Sequence, residues 1–553
     1  MWFGGTAGPS CPFLRPGQAR LLTPDSPTLW VGNDWPHREI RTVGYHERRI
    51  SVFGPCGATD AQLAEIAAAG VPDDVARHWA GSYTLVCQEP GRTRVWTDLG
   101  WAWPIYVHTT RTATLWASSS LLLASRTGYA PNLEQLQARL HDPADAEVEV
   151  ERSYFADIVR IPPGHRLTID RNGATRVERM WKPELRHRNG LAAVLRAELE
   201  AAVDTRLTGG VPISCDLSGG FDSTALALIA GEHLHGSERS VLGVTVHPAG
   251  ITRGGDLDYA RDAGLGRGIH HEWLPLGVED APYQGMGALT AADEPPPSAV
   301  SHAYLTRQLR WSSRRHDRSL HLTGDGGDGL LLTRTAHLAD LVRSGRPWHA
   351  VKEAALWAHT RRTSWWRVAQ ESGKPHQGTL HQRFPLSTGN QREFVDAVLV
   401  AGRTARADGQ LAQACGVHIH NPYFDSRLVD LCLSIPPEDL PGPARYKPLM
   451  AEAMYDLFPP RLAERTTKGD ACPDHFGGLR RALPDLRHLI RGRLEELELL
   501  DPERFDRVLE ETAAGIRSDL YPVEAAVSME AWLRALTRHP STTWTSAPVG
   551  EHV

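Results

Sequence analysis

The stretch CDLSGGFDSTALALIAGEH, from Cys215 to His233, constrains the fold more than any other part of the chain. An apolar run, VPISCDL (211–217), leads into two adjacent glycines, and an alanine- and leucine-rich run of helical period follows. A strand that turns through glycine into a helix presents backbone N–H groups at the helix N-terminus, which is a ready anion site. Gly219 and Gly220 let a ligand approach the backbone, and Ser218 and Ser223 add hydroxyls. The phosphate patterns GxxxxGK[ST] and GxGxxG are both missing. Instead Asp222 lies in the first helical turn, where it would repel a bare phosphate, so a divalent cation between them is expected. Taken alone, the string is equally compatible with a plain helix cap.

A second glycine turn, LHLTGDGGDGLLL (320–332), also follows an apolar strand-like run and carries two acids three apart, Asp325 and Asp328. In an open parallel sheet, ligands sit beyond the carboxyl ends of the strands. Both turns are therefore expected to line one crevice, with Asp222 and Asp328 sharing magnesium held on a triphosphate.

The surrounding pattern supplies such a sheet. A helical run (190–207) precedes the first turn, and SVLGVTV (240–246), LDYARDAGLG (257–266) and HHEWLPL (270–276) alternate strand with helix. From about residue 335 the pattern is mostly helical; 360–384 carries no assignment, and the tail from about 539 reads as frayed. The first 185 residues differ: GSYTLVCQ (81–88), RVWTDL (94–99), WPIYVHT (103–109) and ATLWASS (113–119) are short β-branched or aromatic runs. HRLTID and TRVERMW flank an Arg-Asn-Gly turn and predict a hairpin. With 553 residues the chain exceeds one ordinary core. The fold class expected is α/β, with a layered β-rich unit over 1–185 and a doubly wound parallel-sheet unit with a helical end over 186–553.

The net charge of −6, without a strongly basic stretch, argues against nucleic acid as a partner. Seven cysteines, an odd number without a CxxC pair, argue against a disulfide framework or zinc knuckle and fit a reducing compartment. Nothing approaches the roughly twenty apolar residues of a membrane helix, so a cytoplasmic protein without membrane contact is expected. His418 and His420 could face one way on a strand as metal ligands, but no further ligand is evident and hydrogen-bonding roles are favoured.

LSGGFDST resembles the SGGxDS loop of the ATP-pyrophosphatase (PP-loop) superfamily, which splits ATP between the α and β phosphates. Together with TGDGGDG the string resembles the synthetase domain of the asparagine synthetase family. DEPPPS (293–298), IHNPYFDSRLVDLCLSIP (419–436) and RYKPLMAEAMYDLFPPRLAERTTKGD (445–470) resemble further family segments in the same order, although His420-Asn421 stands where the family has Arg-Val. Residues 81–124 resemble the family's amidotransferase domain of the Ntn-hydrolase type. Glutamine-using members carry a cysteine exposed by removal of the initiator methionine; here residue 2 is Trp2 and the nearest cysteine is Cys11. The N-terminal unit is therefore expected not to hydrolyse glutamine, and the amine comes from elsewhere. TGDGGDG and TTKGD are most similar to the lasso-peptide macrolactam synthetases, whereas β-lactam synthetases place a tyrosine where this chain has Asp325.

The resemblance implies roles. Ser218, Gly219, Gly220, Asp222 and Ser223 would cradle the phosphates of ATP; Leu217, Val246 and Gly324 would line its adenine and ribose; Asp222 and Asp328 would hold Mg2+. Lys468 would hold negative charge during both steps, and Asp325, one methylene shorter than the family's usual glutamate, would contact the amine or the intermediate. The implied substrate is a precursor peptide whose Asp or Glu side chain is adenylated and then attacked by its own α-amine, with a leader-peptide protease and a leader-recognition protein as implied partners. Trp348, Trp357, Trp365 and Trp366 either form a peptide surface or pack a helical core. Alternatives are a β-lactam-type amide former, a glutamine-hydrolysing asparagine synthetase, which Trp2 disfavours, and an inactive nucleotide-binding scaffold.

Overall fold

The computed structural model describes the chain except residues 9–13, 24–27, 33–34, 37, 142–150, 209, 316–319, 362, 373–385, 387, 444, 467–471 and 547–553. Up to Arg179 the architecture is antiparallel. One six-stranded sheet runs in the order Val159–Ile161, Ile105–Thr109, Thr114–Ala117, Phe3–Ala7, Thr28–Gly32, Ala19–Thr23; a second runs Thr175–Arg179, His165–Asp170, Arg92–Trp96, Thr84–Glu89, Arg48–Phe53, Ile40–Tyr45. Inward residues of both sheets, among them Phe3, Phe53, Val86, Trp116 and Leu167, interdigitate in one core. The hairpin expected at the Asn-Gly turn forms between His165–Asp170 and Thr175–Arg179.

The rest of the chain is built on five parallel strands in the order Ile269–Leu276, Val241–Pro248, Ile213–Asp216, Leu320–Leu322, His418–His420. The fold is mixed α/β, as the alternating pattern required. Helix Phe221–Leu234 is almost wholly apolar because it is packed on every side, and Leu191–Leu207 lies against it. From Ile213–Asp216 the chain steps outward twice to one side, then returns to Leu320–Leu322 on the other side. The ends of Ile213–Asp216 and Leu320–Leu322 are thus the neighbours from which the chain diverges, the topological switch point where ligands of such sheets bind.

Two features tie the halves together. The DEPPPS segment is an anchor: Asp293 Oδ1 accepts from Ser119 Oγ (2.5 Å) and the Leu121 amide (3.0 Å), while Glu294 lies between Arg160 (2.8 Å) and Arg403 (3.1 Å). The C-terminal tail is not frayed where it is described. Trp544–Thr545 pairs with Arg15–Pro16, and the Trp544 ring meets Trp30 edge-on at 6.2 Å, so burial of that indole fixes the tail. No helix among the described residues is long and apolar enough to cross a membrane.

Candidate functional site

The first glycine turn leaves strand Ile213–Asp216 and enters helix Phe221–Leu234. Ser223 Oγ lies 2.9 Å from Ser218 Oγ and 3.3 Å from the Ser218 amide, and Ser218 Oγ accepts from the Gly220 amide at 3.2 Å. Gly219 has φ +80°, and a Cβ there would come within 2.1 Å of the Asp256 carbonyl oxygen, so only glycine fits. The buried Arg465 guanidinium pins this turn from behind, donating to the Gly219 carbonyl at 2.8 Å and to Asp256 at 2.5 Å.

The second turn follows strand Leu320–Leu322 and lies directly against the first. A Cβ on Gly324 would approach the Ser223 amide nitrogen to 2.6 Å, and one on Gly327 would approach Asp222 Cγ to 2.4 Å. The absence of side chains at both positions is what lets Asp222 and Asp328 come together. Between them stands a residue that the sequence reading did not single out. Lys447 Nζ lies 2.6 and 2.5 Å from Asp222 Oδ1 and Oδ2 and 2.7 Å from Asp328 Oδ1. Its side chain is fully buried, and its backbone is left-handed (φ +41°) at the entry to helix Pro448–Ala453. For a residue other than glycine such a conformation costs on the order of 1–3 kcal/mol and is tolerated where surrounding contacts over-determine it. Tyr446 Oη donates to Asp328 Oδ1 at 3.4 Å.

Both turns and Tyr446 line a cavity of about 420 Å³ at the switch point. The N-terminus of Phe221–Leu234 and the hydroxyls of Ser218 and Ser223 offer donors for an anion there. Asp325 and Asp216 also line it, and the charges of both act on Tyr304. Asp325 Oδ2 accepts from Thr323 Oγ1 at 2.9 Å and Asn421 Nδ2 at 3.3 Å. Although open to the cavity, its carboxyl is ringed by protein and is pushed up to about 6, first by burial and then by the Asp216 charge, against the Thr323 hydrogen bond. A larger cleft of about 1240 Å³ lies between the N-terminal unit and the amino-terminal ends of Leu320–Leu322 and His418–His420. Neither glycine turn lines it, so the smaller cavity is the candidate site.

Of the residues expected at the nucleotide, Ser218, Gly220, Asp222, Ser223, Val246, Gly324, Asp325 and Asp328 line this cavity. Leu217 does not. Its side chain is fully buried beneath Gly243, its amide donates to Val244 (2.8 Å), and its carbonyl accepts from Thr245 (2.5 Å). Alternation along the strand turns it into the core, which a motif cannot show. Lys468 lies outside the described residues. His420 Nε2 lies 3.1 Å from Glu39 Oε1, and no group of three metal-ligating side chains occurs among the described residues. The tryptophans divide: Trp357 packs on Leu338, Ala354, Ala358 and Val368, whereas Trp348, Trp365 and Trp366 are exposed.

Magnesium suits the donor set. Two carboxylates from separate turns already flank one cation, the Lys447 ammonium, and Mg2+ is commonly held by one or two carboxylates plus substrate phosphates rather than by a closed protein cage.

Residues 194–534, which contain both turns, Lys447 and the whole parallel sheet, match the family model for asparagine synthase. The chain belongs to the asparagine synthase family. It is 22% identical over 386 residues to asparagine synthetase [glutamine-hydrolyzing] 3 of Bacillus subtilis (strain 168), an alignment covering 64% of this chain and 61% of that protein. The chain thus matches about three fifths of the length of this family relative. Among solved structures, two align with 45% of the chain: the allosteric regulatory enzyme of purine biosynthesis (11% identity, TM-score 0.19, 67% of that chain) and the glutamine phosphoribosylpyrophosphate amidotransferase of B. subtilis complexed with ADP and GMP (10%, 0.18, 68%). At such TM-scores neither adds to the architecture described above.

Proposed function

We propose that this member of the asparagine synthase family is an ATP-dependent, AMP-forming amide synthetase that closes a macrolactam in a precursor peptide. The observation that carries the amide-forming reading is the convergence of Asp222 and Asp328, from two separate strand ends, on the single ammonium of Lys447 at the mouth of an anion-binding helix N-terminus. A triphosphate entering there meets the Ser218 and Ser223 hydroxyls, with the buried Lys447 ammonium held against the Asp222 and Asp328 carboxylates. Mg2+, when bound, neutralises phosphate charge beside Asp222 and Asp328. A carboxylate oxygen of the substrate attacks the α-phosphorus and the bond to pyrophosphate breaks. An amine nitrogen then attacks the acyl carbon, AMP leaves with the bonding electron pair, and the amine gives up its proton.

Five of the seven cysteines support a source of the amine other than glutamine. A glutamine-hydrolysing thiol must be poised as thiolate. Burial instead pushes Cys56 up to about 11 and Cys432 up to about 12, and raises Cys87, Cys215 and Cys415. None of these five is an activated nucleophile, which supports an amine carried by the substrate. The likeness of TGDGGDG and TTKGD to the lasso-peptide macrolactam synthetases points to a peptide. For such a substrate, holding two ends of one chain in attack geometry is the main work after adenylation, worth on the order of 7–11 kcal/mol. The experiment is mass spectrometry of linear candidate peptides incubated with the protein, ATP and Mg2+ without glutamine. Loss of one water with release of AMP and pyrophosphate is expected; amidation that occurs only with glutamine present would overturn the reading.

A further inference from the structure

The cavity is lined by two polar groups that the phosphate chemistry does not use. Asp216, the last residue of strand Ile213–Asp216, is held through one oxygen only: Oδ1 accepts from Gln308 Nε2 at 2.5 Å and lies 3.1 Å from His321 Nε2. His321 is in turn fixed from beneath, its Nδ1 2.8 Å from Ser214 Oγ, and Ser214 Oγ lies 3.2 Å from Ser312 Oγ. This buried relay orients the Asp216 carboxylate, yet Oδ2 makes no hydrogen bond among the described residues. Tyr304, on helix His302–Arg315, lines the cavity beside it, and its hydroxyl likewise has no hydrogen-bond partner among the described residues. The charges acting on Tyr304 are those of Asp216, Asp325 and Asp408, and burial keeps its phenol protonated far above neutral pH. The cavity therefore holds, besides the helix N-terminus, a fixed carboxylate and a neutral hydroxyl.

We propose that Asp216 Oδ2 and Tyr304 Oη bind the ammonium form of the incoming amine, orienting it toward the acyl-adenylate. This rests on the amide-forming reading and deepens it: the nucleophile is a primary amine that arrives charged, as an α-amine with a reference pKa of about 7.7–8.0 does at neutral pH. The ammonium donates one N–H to Asp216 and one to Tyr304, and the proton donated to Asp216 passes to it as the lone pair is freed. The C–N bond then forms, the C–O bond to AMP breaks with its electron pair leaving on AMP, and the nitrogen's second proton and the one held by Asp216 leave through the cavity mouth. Gln308 and His321 hold Asp216 Oδ1 and so fix the direction in which Oδ2 points.

The test has two arms. In the first, saturation-transfer NMR follows glycinamide, which carries an α-ammonium, and N-acetylglycinamide, which does not, on the protein loaded with α,β-methylene ATP. Glycinamide alone is expected to bind, and Asp216→Asn and Tyr304→Phe are each expected to lose the signal. In the second, a panel of linear peptides with free amino termini and one internal Asp or Glu is assayed for pyrophosphate exchange and for amide formation. Both variants are expected to slow amide formation about 100-fold more than exchange. Equal binding of the two glycinamides, binding unchanged in the variants, or exchange and amide formation falling together would overturn the proposal. Tyr304→Phe removes one hydroxyl and serves if Asp216→Asn fails to fold. Absence of exchange with every peptide while glycinamide binds would fault the amide-synthetase reading and leave the ammonium site standing.

Discussion

The Lys447 ammonium grips both oxygens of the Asp222 carboxylate, at 2.6 and 2.5 Å, across 225 residues of sequence. The Asp222 carboxylate would repel a bare phosphate; the Lys447 ammonium offsets its charge, and in the proposed reaction Asp222 and Asp328 would hold Mg2+, which would do so beside the triphosphate. The residue on which both acidic turns converge is thus a lysine held in a left-handed backbone by its own buried contacts.

Lys447→Ala removes the ammonium held between Asp222 and Asp328. Loss of a fully buried pair costs about 3–5 kcal/mol. Asp328 is 40% exposed, and water screens part of the repulsion, so about 1–3 kcal/mol is expected. Urea unfolding without nucleotide measures it. Pyrophosphate exchange should fall at least about 100-fold, and saturating Mg-ATP should restore only the stability.

Gly324→Ala should weaken ATP binding far more than it lowers stability. Its new Cβ would stand 2.6 Å from the Ser223 amide nitrogen, which is backbone and cannot rotate away, so the two turns must separate. Calorimetric titration of Mg-ATP beside thermal unfolding checks the contrast. Gly210→Ala, at a glycine with open space around its Cβ position, is the control for ATP binding.

Asp408, buried in helix Gly389–Ala414 with a hydroxyl donor in Ser298, is pushed up to about 7, by burial first and then by the Asp325 charge. A carboxyl raised from 3.8 in the folded state binds more protons folded than unfolded between those values, so its contribution to stability falls as pH rises from about 4 to about 7. Asp408→Asn should flatten that part of the pH dependence and make the protein more stable than wild type at pH 8. Thermal unfolding across pH 4–8 shows it, and an unchanged slope would refute the assignment.

Arg206→Ala should be among the most destabilising single changes outside the cavity. Its guanidinium meets Asp425 at 2.5 and 3.1 Å with both side chains 1% exposed, and Asp425 also accepts from Ser82 across the two halves of the chain. Leaving Asp425 buried without its partner should cost about 3–5 kcal/mol in denaturant unfolding. The double change Arg206→Met, Asp425→Leu should recover much of that loss.

The parts of this molecule that were legible in its sequence are those whose signals are local. The alternation around Ile213–Asp216 and Val241–Pro248, the glycine turns beside them and the Asn-Gly hairpin each fall within one short window. Lys447 was not legible because its partners are distant in sequence and nothing in RYKPLM marks a buried cation. The tail read as frayed because the burial of Trp544 depends on Trp30, at the other end of the chain. Leu217 illustrates a third limit: a motif names the residue beside a ligand, but the pleat decides whether its side chain faces the cavity, and here it faces the core.

The central claim is that Asp222 and Asp328 act on one metal–triphosphate complex, and a double-mutant cycle on Mg-ATP binding tests it most directly. Asp222→Asn and Asp328→Asn should each weaken binding, and the double variant should bind about as weakly as the worse single one, because both remove support from the same ion. Strictly additive losses, or a variant that binds Mg-ATP as wild type does, would contradict a shared site.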